Sequence, residues 1–282
     1  MKNLTLAHLT ISAMPADTID AAASAGFGAV GLRICGRRPG DPFAAPLIGL
    51  PAEVNALKRR ASDQGVRLSN VSAYQFYPEV TWDDIAPVVE TTHGLGIPII
   101  VANSFQPDEQ KFIELFARYC EAAGKAGIRV ALEFLPYSSV RNLDAALRVV
   151  ERSGAANAGV LLDALHLDRS GSLPSDIAAI DPSKIIFAQL CDAKKLVGKR
   201  SDAELLQEAR FARLPAGNGE LPLFDFLNAL PPGLEIEYEV ARIDMADRSP
   251  SDKAQAARAD AERFMAAYAA SGKAPAVQAV AG

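Results

Sequence analysis

The chain alternates eight times between a short β-rich run and a longer stretch with helical spacing. The short runs lie at 4–9, 28–33, 66–71, 97–102, 128–133, 159–163, 184–189 and 234–240. Stretches rich in Ala, Leu, Glu and Arg follow them at 15–25, 51–64, 81–95, 107–126, 141–152, 173–179, 201–209 and 251–270. Eight strand–helix units in succession predict an α/β architecture, a single (β/α)8 TIM barrel. The length of 282 residues suits one such barrel, for which about 250 is typical. The expected catalytic domain spans 1–270, and residues 271–282 read as a flexible C-terminal tail. No second domain and no repeat beyond the strand–helix unit is visible.

Local punctuation agrees with this division. Pro51 and Pro107 fit the first turn of a helix, where the missing N–H costs nothing. Ser201 or Asp202 can cap the helix expected at 201–209. Gly26, Gly65, Gly96 and Gly127 each stand between a helix and the next strand, where a left-handed residue ends the helix.

Composition excludes several classes. With 49% hydrophobic and 22% charged residues the chain is an ordinary globular one. A net charge of −5 gives no reason to expect nucleic acid as a partner. No apolar run approaches the roughly 18 residues that span a bilayer, and no secretory signal opens the sequence, so no membrane association and a cytoplasmic location are expected. Cys35, Cys120 and Cys191 are odd in number and scattered, against a disulfide framework. There is no P-loop, no dinucleotide glycine fingerprint and no nucleophile elbow.

Chemistry is expected where the last four strands end. Glu133 closes Val130-Ala131-Leu132-Glu133, Asp163 closes Gly159-Val160-Leu161-Leu162-Asp163, and Gln189 closes Ile185-Ile186-Phe187-Ala188-Gln189. Glu239 lies in Ile236-Glu237-Tyr238-Glu239-Val240. Each alone could be a polar strand end bonded to a helix cap. In a closed parallel barrel, however, all four share one rim and can converge on a single cation. Three carboxylates and an amide oxygen form a hard donor set, suited to Mn2+ or Mg2+, with Co2+ or Zn2+ as alternatives. Glu237 shares a face with Glu239 and competes for the role, but Glu239 lies nearer the rim.

Several stretches carry a family resemblance: Leu132-Glu133-Phe134, Leu162-Asp163-Ala164-Leu165-His166, Ala188-Gln189-Leu190-Cys191-Asp192, Pro215-Ala216-Gly217-Asn218-Gly219-Glu220 and Ile236-Glu237-Tyr238-Glu239-Val240. Through them the chain resembles the sugar phosphate isomerase/epimerase family with the xylose isomerase-like barrel. That group includes endonuclease IV-type and dehydroshikimate dehydratase-type members. The resemblance covers almost the full length, and implies one divalent cation held by Glu133, Asp163, residue 189 and Glu239. The family's ketose epimerases carry His at the third ligand position. Gln189 there resembles the dehydroshikimate dehydratase branch. The three histidines of the chain, His8, His93 and His166, are too few for the three-zinc endonuclease branch.

Further candidates lie on the same rim. His166, in the family's Asp-x-x-His pattern, is expected to contact substrate or act as a general acid or base. His8 ends the first strand and reads equally as a substrate contact or a satisfied barrel histidine; His93 reads as structural. Of Lys194, Lys195, Lys199, Arg200, Arg210 and Arg213 in the long seventh loop, most read as a solvated helix face. Arg210 is set apart because it resembles the family arginine before the Pro-Gly turn, able to clamp a carboxylate, phosphate or enolate oxygen. Arg33 can reach the same pocket, although an ion pair with a neighbouring acid is the plainer account. Tyr74 and Asn103 follow strands three and four and suit a polyhydroxylated or cyclic substrate.

The expected function is a divalent-metal-dependent isomerase or epimerase that abstracts a proton alpha to the carbonyl of a keto-sugar. Its catalytic residues would be drawn from Glu133, Glu239, His166 and Arg210. A dehydratase or lyase acting by β-elimination on a cyclic keto-acid shares the first half of that mechanism. A non-catalytic sugar-binding barrel is the alternative from another class. Oligomeric state is left open, with a homodimer as the candidate assembly.

Overall fold

The computed structural model describes residues 4–272 and shows eight parallel strands closed into a barrel, paired in chain order. The strands are β1 (Leu4–Leu6), β2 (Ala29–Arg33), β3 (Arg67–Ser72), β4 (Ile99–Ala102), β5 (Arg129–Glu133), β6 (Ala158–Asp163), β7 (Ile185–Leu190) and β8 (Ile236–Tyr238). The helices are α1 (His8–Ile11), α2 (Pro15–Ser24), α3 (Pro51–Asp63), α4 (Trp82–Leu95), α5 (Glu109–Lys125), α6 (Leu143–Ser153), α7 (Ala164–Arg169), α8 (Asp202–Phe211), α9 (Leu223–Ala229) and α10 (Pro250–Ala270). Of the tail expected at 271–282, residues 273–282 lie outside the described residues. Among the described residues no helix is long and apolar enough to cross a membrane.

Helix starts follow side-chain chemistry. Asn142 accepts from the Ala145 N–H at 2.9 Å at the head of α6, and Ser201 and Glu204 form a reciprocal box at the head of α8. Pro51 opens α3 as expected, but α5 is capped by Asp108, which accepts from the Lys111 N–H, so Pro107 precedes the helix.

Other boundaries differ from the sequence reading. The first strand stops at Leu6, and His8 opens α1 instead of ending the strand. There the Thr10 hydroxyl donates to the Tyr238 carbonyl and accepts from the Val240 N–H, which turns the chain across the barrel mouth. The first helix after β6 is the short α7, and the helix expected at 173–179 is a six-residue 3-10 helix at Pro174–Ala179. Pro174 at its start and Pro182 soon after leave no room for a longer helix.

Alternation along the strands divides the core in two. Side chains such as Val130, Leu132, Val160, Leu162 and Ala188 face outward and pack under the helices, while Ala131, Leu161 and Phe187 belong to a small separate cluster inside the barrel. Glu133, Asp163 and Gln189 stand two residues beyond those three inward positions, so the pleat itself aims them into the mouth.

Strand eight carries an acidic ladder at the same two-residue step. Glu235, at the lower end, accepts from the Thr5 and Ser69 hydroxyls and pairs with Arg67 at 3.1 Å. Glu237, one step up, accepts from Asn70 Nδ2 at 2.8 Å and Gln189 Nε2 at 2.7 Å. Glu239 comes just after β8, where its N–H still donates to the Leu190 carbonyl at 3.1 Å.

The middle rung depends on Gly31. A Cβ at that position would lie 2.2 Å from Glu237 Oε1 and 2.7 Å from Asn70 Oδ1. Gly31→Ala is therefore expected to destabilise the protein by about 1–3 kcal/mol through overpacking. Urea unfolding measures it; a wild-type midpoint would show that the interior has slack.

Candidate active site

At the barrel mouth Glu133, Asp163, Gln189 and Glu239 are brought together as expected, and all are buried. The register pairs Asp163 with Gln189 and Gln189 with Glu237, so these side chains stand on adjacent staves. Gln189 Nε2 donates to Glu237 Oε2 at 2.7 Å and to Glu239 Oε1 at 3.1 Å. Asn103 Nδ2 donates to Glu133 Oε2 at 3.1 Å. Asp163 both caps α7, accepting from the His166 N–H at 2.9 Å, and ends its strand in the cluster. His166 Nε2 lies 3.9 Å from Glu133 Oε1.

The seventh loop supplies a residue that the sequence reading put on a solvated face. Arg213 is 2% exposed, with Nη1 2.5 Å from Asp163 Oδ2 and Nη2 3.0 Å from Glu239 Oε2. Its Nε donates to the Ala209 carbonyl at 2.8 Å, and Nη1 lies 3.2 Å from Cys191 Sγ. The backbone holds it from both sides: Arg213 N–H donates to the Ala241 carbonyl, and Asp192 and Leu214 exchange two backbone bonds.

Asp192 fastens the rest of the loop. Its carboxylate accepts N–H bonds from Ala193, Gly217, Gly219 and Leu221 at 2.8–3.0 Å. Gly219 permits this, since a Cβ there would lie 2.4 Å from both Asp192 Oδ1 and the Ala193 carbonyl oxygen. Arg213, directly before Leu214 and Pro215, carries no signal in the sequence that sets it apart from the other cations of the loop. Arg210 lies three residues earlier, in the last turn of α8.

The other expected residues line the cavity above the cluster. His8, Arg33, Tyr74, Asn103, His166 and Arg210 all border it, as does Gln75 beside Tyr74 after strand three; Arg37 and Tyr137 join them, which the sequence reading did not assign. The ion pair anticipated for Arg33 does not form. Its Nη1 reaches the carbonyls of Ala73 at 3.1 Å and of Cys35 and Gly36 at 3.5 Å. Tyr137 meets His166 edge-on at 5.8 Å. His93 lies away from the cavity, its Nδ1 3.3 Å from the Ala126 carbonyl.

Electrostatics follow from packing several acids in a dry place. Burial, then the charges of Glu239 and Asp163, push the Glu133 carboxyl up. Burial also raises Glu239, against the pull of Arg213, and raises Glu237, helped by Glu239. Asp163 goes the other way: burial pushes it up, but the charge and hydrogen bond of Arg213, with His166, hold it below the usual range. Burial lowers His166 to about 4, so its imidazole is neutral near pH 7.

Two observations bear on a cation, and the carboxylate of Glu239 belongs to neither. Both N–H contacts of the Gln189 amide are made by its nitrogen, which leaves Oε1 buried with no partner. A buried amide oxygen without a donor is costly unless something electropositive meets it. Glu133, Asp163 and His166 also bring ligand atoms within 4.8 Å of one another.

Two stability effects follow. In chelator-treated protein, Arg213→Met leaves Asp163 and Glu239 without their cation and is expected to cost roughly 3–5 kcal/mol; a loss under about 1 kcal/mol in denaturant unfolding would mark the pair as solvated. On the rim, Glu208 of α8 pairs with buried Arg169 at 2.8 Å. Burial pushes its carboxyl up, but the Arg169 hydrogen bonds and charge outweigh that and hold it low. A depressed carboxyl stabilises the fold above the unfolded value of about 4.3 and loses that effect as pH falls through the folded value. Glu208→Gln should therefore flatten the acid side of the stability–pH curve as pH falls below the unfolded value of about 4.3; an unaltered slope would assign acid sensitivity elsewhere.

Known proteins share this architecture. A family model described as xylose isomerase-like TIM barrel matches residues 19–268. An inosose isomerase from Halalkalibacterium halodurans is 30% identical over 154 residues, 51% of this chain and 52% of that protein. A 3-dehydroshikimate dehydratase from Pseudomonas putida is 23% identical over 235 residues, 79% of this chain and 35% of that one. The match thus spans about half the length of the first relative and about a third of the second. A crystal structure titled as the IolI protein with a binding zinc atom superposes with a TM-score of 0.76 at 18% identity, covering 95% of this chain and 99% of that one, a likeness of fold. With 250 consecutive residues matched by the family model, the chain belongs to the xylose isomerase-like TIM barrel family.

Proposed function

We propose that the barrel mouth holds one divalent cation through Glu133, Asp163, Gln189 and Glu239, and that the chain is a metal-dependent isomerase or epimerase. Its substrate is a keto-sugar or similar polyhydroxylated ketone, from which a proton is moved beside the carbonyl. The observation that carries this reading is the unpartnered oxygen of Gln189 among three carboxylates. When bound, the cation supplies Lewis-acid polarisation of the substrate carbonyl. Oxygen donors favour Mn2+ or Mg2+. If His166 replaced one of them as ligand, as its closeness to Glu133 and Asp163 allows, the preference would move toward Zn2+.

The chain's own residues divide the remaining work. Glu133 and Glu239 sit on staves well apart around the barrel, so a substrate between them meets a carboxylate on two sides. One is placed to take a proton and the other to return one. Arg213 fixes the orientation of Asp163 and Glu239, and Gln189 is held in turn by Glu237. Neutral His166 and Tyr137 offer hydrogen bonds to hydroxyls, and Asn103 steadies Glu133.

A second reading keeps the first step and changes the outcome. If the carbanion expels a neighbouring hydroxyl, the enzyme is a dehydratase. Similarity to 3-dehydroshikimate dehydratase over 79% of the chain, together with Gln189, favours this version.

Incubation with inosose and with 3-dehydroshikimate in D2O, with and without MnCl2, tests both. Deuterium in recovered ketone marks the isomerase, and an unsaturated absorbing product marks the lyase. Glu133→Gln and Glu239→Gln are each expected to lower turnover at least 100-fold while leaving the thermal midpoint within a few degrees, an effect typical of lost acid–base catalysis. Full turnover after chelation, or no bound metal and no turnover at all, would reject catalysis by this site in favour of a binding barrel.

A further inference from the structure

We infer that Arg33, Arg37 and Arg210 form an anion-binding subsite in the cavity that the carboxylate cluster also lines, so that the substrate carries a carboxylate or phosphate group as well as its ketone. This rests on the proposed function and narrows its substrate class. All three arginines border the same cavity as Glu133, Gln189 and Glu239. Arg37 and Arg210 also line an outer chamber with Phe211, Arg242 and Lys253, which places them where the cavity opens.

Most arginines of this protein have acidic partners. Arg60, Arg141, Arg148, Arg169 and Arg213 each lie within 3.0 Å of a carboxylate. Among the described residues Arg33, Arg37 and Arg210 form no ion pair, and the Nε of Arg33 is buried with no hydrogen-bond partner. The nearest acids are engaged elsewhere: Asp41 accepts from the Arg38 N–H at 2.8 Å, and Glu133 from Asn103.

The contrast with Arg213 shows what is missing. Both Arg33 and Arg213 are deeply placed. Arg213 has Nη1 2.5 Å from Asp163 Oδ2 and Nη2 3.0 Å from Glu239 Oε2. Arg33 is lowered to about 10 by burial and then by Arg37, with Arg210 adding to the effect. Arg37 is likewise lowered by burial and then by Arg210. Like charges held together in a half-dry cleft repel one another until an anion enters. An arginine fork offers paired N–H donors that match a carboxylate or phosphate. The acids of the same cavity are otherwise held: Asp163 and Glu239 by Arg213, Glu133 by Asn103, and Glu237 by Asn70 and Gln189. Among the described residues the three arginines are left without an ion-pair partner.

Two matched pairs of probes test this by calorimetry in saturating MnCl2: 3-dehydroshikimate against its methyl ester, and D-fructose 6-phosphate against D-fructose. The charged member of at least one pair should bind at least tenfold more tightly, and which pair responds identifies carboxylate or phosphate. Arg37→Gln and Arg210→Gln should each shrink that ratio to threefold or less, with no change in Mn2+ affinity. Equal binding within both pairs, no binding by any probe, or a ratio that survives both substitutions would overturn the subsite. Deuterium exchange and metal dependence read the proposed chemistry separately. Exchange into neutral inosose without charge preference would remove the subsite and leave the chemistry standing. Charge preference without metal-dependent turnover would do the reverse.

Discussion

The mouth of the barrel is organised by one buried cation, the guanidinium of Arg213, lying between Asp163 and Glu239. Asp163, Glu239, Glu133 and Glu237 are all buried within a small volume, and each loses water by being there. Without a counter-charge such a group would protonate or force the barrel apart. Arg213 supplies one fixed positive charge, delivered by a loop instead of a strand. The remaining negative charge and the bare Gln189 oxygen define what else the site can hold.

Other features follow from keeping that guanidinium in place. Asp192 gathers four N–H groups of the loop, and the Leu214 bridge sets the turn that presents Arg213. Below it, Glu237 holds the Gln189 amide so that nitrogen faces the acids and oxygen is left over. Gly31 leaves the room in which Glu237 lies. Loop, floor and strand ends therefore act as one unit, although they come from widely separated parts of the chain.

The parts legible in the sequence were those written in local periodicity. Eight strand–helix units gave the barrel, and the pleat carried Glu133, Asp163 and Gln189 from inward-facing Ala131, Leu161 and Phe187 to the rim. The choice of Glu239 over Glu237 for the mouth also follows from a two-residue step. Arg213 was not legible as a buried group, because nothing in a charged loop distinguishes a guanidinium bound to two acids 26 and 50 residues away from one in water. Arg33 was placed at the pocket, but an ion pair was the plainer expectation there for the opposite reason. A strand-end arginine near many acids ordinarily pairs with one, and only the fold shows every neighbouring acid already engaged. Helix α7 was hidden because it is only six residues long, too short to show helical periodicity, although Asp163 caps it.

The Asp192 tether has an evolutionary consequence. Residues 194–212 leave from and return to that clasp, and Ala209 and Glu208 within them also brace Arg213 and Arg169. Substitutions on the exposed face of α8 would therefore remodel the roof of the cavity, while the braced face keeps the guanidinium in place.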